Sequence, residues 1–200
     1  MPLTSDTFQR IESHLVQSAE VKRQTAKSCA VSIAKAAELI VGAFLSTGKL
    51  FLCGNGGSAA DCQHMAAEFV SRFSKDLDRR GLPAIALTTD TSFLTAFGND
   101  YGFEGIFERQ VEALGSVGDL LMAISTSGNS LNVVRAVEAA KKRQMGTIAL
   151  TGNGGRLAAM ADIVIAVPST DTQYIQEAHL AIEHILCELV EYTLFRDPGH

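Results

Sequence analysis

Two hundred residues carry 17 Lys and Arg against 22 Asp and Glu, a net charge of −5, with 46% of positions hydrophobic. A chain of that length buries one substantial core, and its acidic balance argues against a nucleic-acid surface, which shows a basic stripe. No apolar run approaches the roughly 18 residues that span a bilayer, so no membrane partner is expected.

The N-terminus MPLTSDTFQRIE has neither a basic nor an apolar leader region, which makes a cytoplasmic location the expectation. Cys29, Cys53, Cys62 and Cys187 form no C-x-x-C pair and read as reduced, buried thiols without a catalytic role. Of the basic clusters, Arg79-Arg80 reads as a solvated loop and Lys141-Lys142-Arg143 as a helix C-terminus, where cations complement the dipole.

In chain order, Phe8, Ile11, Leu15 and Ala19 recur at helical spacing, and Ile33, Ala37, Ile40 and Phe44 do so again, with Gly48 read as the C′ stop. Apolar runs of strand length follow at 50–53, 84–87, 120–124, 147–150 and 163–167, with helical patterns between them. Strands alternating with helices imply right-handed crossovers and a parallel sheet buried on both faces. A last long helix spans about 173–195 and ends before Pro198. The expected fold is therefore α/β: a doubly wound, flavodoxin-like, five-stranded parallel sheet flanked by helices. One domain covers 1–200, with N-terminal helices over 1–47 and the α/β core and C-terminal helix over 48–200.

Ligands of open parallel sheets bind beyond the carboxyl ends of the strands. Two loops there stand out, Gly54-Asn55-Gly56-Gly57-Ser58-Ala59 and Ser125-Thr126-Ser127-Gly128-Asn129-Ser130. Each leads into a helix whose first N–H groups lack intrahelical partners, so together they can hold a phosphate without a lysine. One N-cap needs one Ser, Thr or Asn, and the second loop offers five donor-bearing residues. The first loop also fits a loose G-x-G-x-x-G/A dinucleotide pattern, but the acid expected about 20 residues later is poorly matched by Asp76, Asp78 or Asp90; no G-K-[ST] is present, which excludes a P-loop.

The helix after the first loop places Asp61, His64 and Glu68 at i, i+3 and i+7 on one face. In the last helix Gln176, Leu180 and His184 form a row away from the aliphatic stripe Ile175, Ala178, Ile182, Ile185, Leu186 and Leu189, while His179 borders that stripe and reads as a satisfied core histidine. His64, Glu68, Gln176 and His184 make a donor set for Zn²⁺, with Gln an unusual fourth ligand. The residues alone leave zinc as one option beside a solvated His/Glu contact.

With GNGGSAADCQHMAAEF after the first strand, LTAFGND after the second, AISTSGNS after the third and IQEAHLAIEHILCELVE in the last helix, the sequence resembles the sugar-isomerase (SIS) domain family over nearly its whole length. Within that family it is similar to the bacterial sedoheptulose-7-phosphate isomerases. The resemblance implies a homotetramer partly built by the N-terminal helices. It also implies conversion of sedoheptulose 7-phosphate, a phosphorylated seven-carbon sugar, to D-glycero-D-manno-heptose 7-phosphate, the first step toward the ADP-heptose of lipopolysaccharide.

By that resemblance Asn55, Gly56, Gly57, Glu68, Asn99, Asp100, Ser125, Thr126, Ser127, Ser130 and Gln176 bind substrate. His64, Glu68, Gln176 and His184 hold one zinc per subunit, and Glu68 and His184 are the acid/base pair. Moving a carbonyl from C2 to C1 needs a proton taken from C1 and delivered to C2 through an enediol, for which Glu68 is the candidate, with Asp61 in reserve. His184 suits proton movement at the oxygens, because imidazole titrates near neutral pH. The alternative is a non-catalytic SIS-fold protein, either replication-initiator-associating or phosphosugar-sensing. It would not need both Glu68 and His184.

Overall fold

The computed structural model describes residues 5–196. In chain order its elements are α1 (Ser5–Ser28), α2 (Ala30–Leu45), β1 (Leu50–Gly54), α3 (Gly57–Val70), β2 (Ala84–Ala86), α4 (Thr91–Tyr101), α5 (Ile106–Leu114), β3 (Leu120–Ser125), α6 (Leu131–Lys142), β4 (Gly146–Thr151), β5 (Ile163–Ala166) and α7 (Thr172–Phe195). The five strands form one sheet in the order β2-β1-β3-β4-β5, every neighbouring pair parallel. Each strand coincides with an expected apolar run, because helices cover both faces of the sheet and leave little room for polar side chains.

Alternation along the strands builds two cores. Leu50, Leu52, Leu120, Met122, Ile148 and Leu150 pack with α2, α3 and α7. Phe51, Cys53, Leu121, Ala123 and Ala149 point the other way, against α5 and α6. Burying a Leu, Phe or Met side chain contributes roughly 1.5–3 kcal/mol, so the two layers together supply the main driving force for folding. All four cysteines are buried and free. Among the described residues, no single helix is long and apolar enough to cross a membrane.

Helix α1 forms where the periodicity places it, yet Phe8, Ile11 and Leu15 are 62, 51 and 64% exposed. Its buried residues are Ser18 and Thr25, because it docks on α7 through polar groups. His14 and Ser18 both bond the Glu177 carboxylate, and the Tyr174 hydroxyl donates to Gln17 at 2.9 Å. The stop after α2 also differs from the expected one. Thr47 takes the left-handed conformation (φ 63) and the Gly48 N–H returns to the Ala43 carbonyl at 2.8 Å, a Schellman closure with Gly48 one position beyond C′. Glycine is required there by close approach, since a Cβ would lie 2.3 Å from the Gly118 carbonyl oxygen.

Arg79 corrects the reading of a solvated basic loop. Its side chain is 1% exposed and pairs with Glu191 of α7 at 2.7 Å. The neighbouring clusters behave as expected: Arg80 is exposed, and Lys141 and Lys142 occupy the last turn of α6. In α7, Ile185 and Leu189 of the aliphatic stripe are 40 and 38% exposed, while Glu183 is wholly buried in their place. The stripe is displaced because the face of α7 that meets the sheet runs through Ala178, Ile182, Leu186 and Val190. Pro198, read as the stop beyond this helix, lies outside the described residues.

His179 is a core histidine, 0% exposed, with Nε2 3.1 Å from the Thr151 carbonyl. Burial pushes its pKa down from 6.5 to about 4, and the Thr151 carbonyl opposes this only in part. The fold thus holds the neutral imidazole. That contribution is complete above pH 6.5 and is lost as pH falls toward 4, where the unfolded chain binds a proton that the folded chain refuses, a difference of about 3 kcal/mol at most. Urea titrations at pH 7 and pH 4 are expected to show a smaller acid-induced loss of stability for His179→Gln than for the parent.

Candidate active site

The strand order reverses between β1 and β3, and in an open parallel sheet the ligand crevice lies at that switch, beyond the carboxyl ends. The two loops singled out by sequence leave these two strands. Asn55 and Gly56 lead from β1 into α3, and 126–130 lead from β3 into α6. A reciprocal amide pair joins them. Asn55 Nδ2 donates to Asn132 Oδ1 at 2.9 Å, and Asn132 Nδ2 donates back to Asn55 Oδ1 at 2.8 Å. Asn132 carries no motif in the sequence. Its one hint is chemical: a buried asparagine in the first turn of a helix needs a partner for its amide, and Asn55 is that partner.

Ser130 is the N-cap residue of α6 but makes no side-chain capping bond. Its hydroxyl faces Ser125 Oγ at 3.1 Å, and Ser127 Oγ lies 3.4 Å from the same atom. Capping therefore does not account for this loop. Three hydroxyls converge at a helix N-terminus whose N–H groups carry partial positive charge, an arrangement suited to an anion. Thr126 stands between them, its carbonyl accepting the Gly152 N–H at 3.1 Å.

On the other side, α3 and α7 cross with their polar rows facing. His64 Nε2 is 2.8 Å from His184 Nε2 and 3.9 Å from Glu68 Oε1. The His64 and His184 rings meet edge-on with centroids 5.1 Å apart. Gln176, two turns before His184, lies against the start of α3, where a Cβ on Gly57 would come within 1.7 Å of its Nε2. Burial raises the Asp61 pKa, with Gln176 and His64 opposing. Glu183, absent from the sequence reading, sits behind this group. Burial and the nearby Asp61 charge push its pKa up to about 9, so it stays protonated at neutral pH.

The structure thus brings His64, Glu68 and His184 into one cluster where α3 and α7 pack, with Gln176 and Asp61 nearer the start of α3, and Asn55 and the serine loop into a second group at the carboxyl ends of β1 and β3. Asn99 and Asp100 are exposed at the end of α4, and the hydrogen bond described for them, Asn99 Nδ2 to Asp100 Oδ1 at 2.8 Å, is to each other. The donor chemistry of the cluster suits zinc, with two imidazole Nε2 atoms 2.8 Å apart and a carboxylate oxygen 3.9 Å from one of them. Among the described residues, however, no three His, Cys, Asp or Glu side chains already surround a common point. Holding an ion requires Glu68 to turn toward the two nitrogens.

A parallel sheet with a hydroxyl-lined anion loop at its switch point and an imidazole–carboxylate cluster on the helices beside it defines a phosphosugar-handling domain, and the family model described as SIS domain matches residues 14–152. The chain is 53% identical over 195 residues to the phosphoheptose isomerase of Roseiflexus sp. (strain RS-1), a match that covers 96% of this chain and 98% of the relative. A solved phosphoheptose isomerase from Neisseria gonorrhoeae superimposes with a TM-score of 0.86 at 46% identity, covering 92% of this chain and 97% of that one. The corresponding values for a Francisella tularensis phosphoheptose isomerase are 0.88, 42%, 94% and 98%. The chain belongs to the phosphoheptose isomerase family of SIS-domain proteins.

Gly57 offers a direct probe of the site. An alanine there cannot coexist with the Gln176 amide in its present place, so Gly57→Ala is expected to keep the circular dichroism spectrum while activity falls about 10- to 100-fold, as displacement of a positioning group by about 1 Å does.

Proposed function

We propose that the protein is an aldose–ketose isomerase that interconverts sedoheptulose 7-phosphate and D-glycero-D-manno-heptose 7-phosphate, the first step toward the ADP-heptose of lipopolysaccharide, in the cytoplasm. The observation that carries this reading is the convergence of Ser125, Ser127 and Ser130 at the α6 N-terminus with Ser130 free of capping duty. A phosphate there is neutralised by hydroxyls and helix N–H groups. The rest of the sugar can then extend toward the α3–α7 cluster, held by Asn55, Gly56, Gly57, Thr126 and Gln176.

Glu68 then takes the proton from C1 and returns it to C2 on one face of a cis-enediol, and His184 moves the proton at the oxygens. His64 Nε2 is within hydrogen-bond distance of His184 Nε2 and 3.9 Å from Glu68 Oε1, so it orients His184 directly and leaves Glu68 free to turn. His64, Glu68, Gln176 and His184 are the residues to hold zinc, one ion per subunit. The chemistry zinc supplies when bound is polarisation of the carbonyl oxygen. A histidine that gives Nε2 to a metal cannot use that atom as a base, so His184 serves one role at a time. The non-catalytic reading is not favoured: the relatives are isomerases by name, and the acid and histidine it does not need stand together in the cluster.

The assembly proposed is a homotetramer. Phe8, Ile11, Leu15 and Val16 on α1 expose apolar surface that this chain alone leaves uncovered. Asn99 and Asp100, exposed at the end of α4, are assigned to substrate binding. Light scattering is expected to give about four chains of 21.3 kDa; a monodisperse monomer at micromolar concentration overturns the tetramer.

Incubation with sedoheptulose 7-phosphate followed by NMR should show the aldose product, and an unchanged substrate spectrum rejects the function. Glu68→Gln keeps shape and removes the base. Turnover should fall about 10²- to 10⁴-fold, with loss of exchange of the C1 hydrogen with solvent deuterium at unchanged zinc content. If the variant instead loses zinc and recovers exchange when zinc is added in excess, the carboxylate's task is to hold the metal, and proton transfer passes to His184 or Asp61.

A further inference from the structure

The ion pair between Arg79 and Glu191 stands outside the site and touches both halves of it. Arg79 Nε donates to Glu191 Oε2 at 2.7 Å, with both side chains almost wholly buried, 1 and 4% exposed. The remaining guanidinium nitrogens cap the end of α3. Nη2 donates to the Glu68 carbonyl at 2.9 Å, and Nη1 donates to the carbonyls of Phe69 at 2.9 Å, Ser71 at 3.3 Å and Arg80 at 3.1 Å. Last-turn helix carbonyls have no intrahelical donors, and an arginine from the following loop supplies them here. Glu191 is equally occupied, accepting the Phe73 N–H at 3.0 Å and the Ser74 N–H at 2.9 Å. Burial alone would raise its pKa, but Arg79 and these two N–H groups outweigh burial and hold it below the ordinary carboxylate range.

The two ends of this clamp lead to the reacting side chains. The carbonyl that receives Nη2 belongs to Glu68 itself. The Phe73 ring, whose backbone N–H is fixed by Glu191, lies 5.9 Å from the His184 ring. Glu191 sits seven residues after His184 on α7, on the same face and about 10 Å along the axis. Taken with the activity proposed above, on which this inference rests, the geometry assigns Arg79 and Glu191 as positioning residues that set the spacing of α3 and α7, and so the placement of Glu68 against His184. Neither is a catalytic residue, because the described contacts of Arg79 are to Glu191, to backbone carbonyls and to the Phe195 ring, 5.6 Å from its guanidinium, and the hydrogen bonds of Glu191 are to Arg79 and two backbone N–H groups. A planar fork is essential to the arrangement: one lysine ammonium cannot reach a carboxylate on α7 and several carbonyls of α3 in divergent directions.

The test compares Arg79→Lys and Glu191→Gln with Asp162→Asn, a substitution that weakens a bond to Thr147 at the start of β4, away from the switch point. For both clamp variants kcat is expected to fall about 10- to 100-fold. KM should stay within about threefold, because the phosphate loop is carried by β3 and α6. Asp162→Asn should lower Tm while keeping kcat. If Arg79→Lys folds poorly, Arg79→Ala is assayed with and without millimolar guanidinium, and recovery of kcat by guanidinium but not by sodium at equal ionic strength supports the clamp. A kcat within twofold of the parent in both clamp variants, or a loss of kcat in Asp162→Asn as large as theirs at matched Tm, overturns it.

A readout that needs no substrate separates this inference from the proposed activity. In ¹⁵N-histidine spectra, Arg79→Lys should shift the His64 and His184 side-chain resonances and leave those of His14 and His179 in place. Should the parent protein fail to isomerise sedoheptulose 7-phosphate, the function falls, while these shifts still decide whether the clamp positions the cluster. Unmoved His64 and His184 resonances reject the clamp even in an active enzyme.

Discussion

The reversal of strand order between β1 and β3 governs the rest of the molecule. All five strands run parallel, so every loop at their carboxyl ends opens on one edge of the sheet, and only at the reversal do neighbouring connections part to opposite faces and leave a crevice. The helices that begin there, α3 and α6, bring their unsatisfied N–H groups to the same place. The Asn55–Asn132 pair closes the gap between the two loops, so the parts that meet a ligand are fixed to one another as well as to the sheet.

The crevice is completed by α7, which follows the last strand and returns across the face that also carries α3. Helix packing alone would favour apolar side chains along that contact, and most of α7 obeys. The polar side chains that interrupt it are of two kinds. Arg79 and Glu191 are satisfied by each other and by backbone groups, which makes them rigid. Asp61, Glu183 and His179 each leave at least one buried oxygen or nitrogen without a hydrogen-bond partner among the described residues, and buried groups of that kind reduce stability by about 1–3 kcal/mol. Two of them, Asp61 on α3 and Glu183 on α7, lie close enough for the charge of one to act on the other, so the fold gives up apolar packing between these helices to keep polar groups there.

A second consequence concerns α1. Its apolar row stays exposed although it adjoins His14 and Ser18, because those polar side chains, and not Phe8, Ile11 or Leu15, make the contact to Glu177 on α7. Polar docking inside one chain thus directs apolar surface to its exterior. This explains how a helix that contributes little to the core can still have a strongly patterned sequence.

Much of this was determined by the sequence alone. Apolar runs of strand length, helical spacing between them and dense turn chemistry after the first and third runs were enough for the sheet, the seven-residue spacing of Asp61 to Glu68, the row from Gln176 to His184 and the serine loop, because these depend on neighbours a few residues apart. Tertiary structure decided what joins distant segments. Arg79 and Glu191 are 112 residues apart and Asn55 and Asn132 are 77 apart, and nothing local distinguishes a buried arginine from a solvated one or a clamping asparagine from a turn residue. The same holds for Glu183 and for Phe8, Ile11 and Leu15, whose periodicity requires an apolar face but does not say whether the core or the surface receives it. Which face of a helix meets the sheet depends on the crossing angles of all the elements around it, and those angles exist only once the strands have paired.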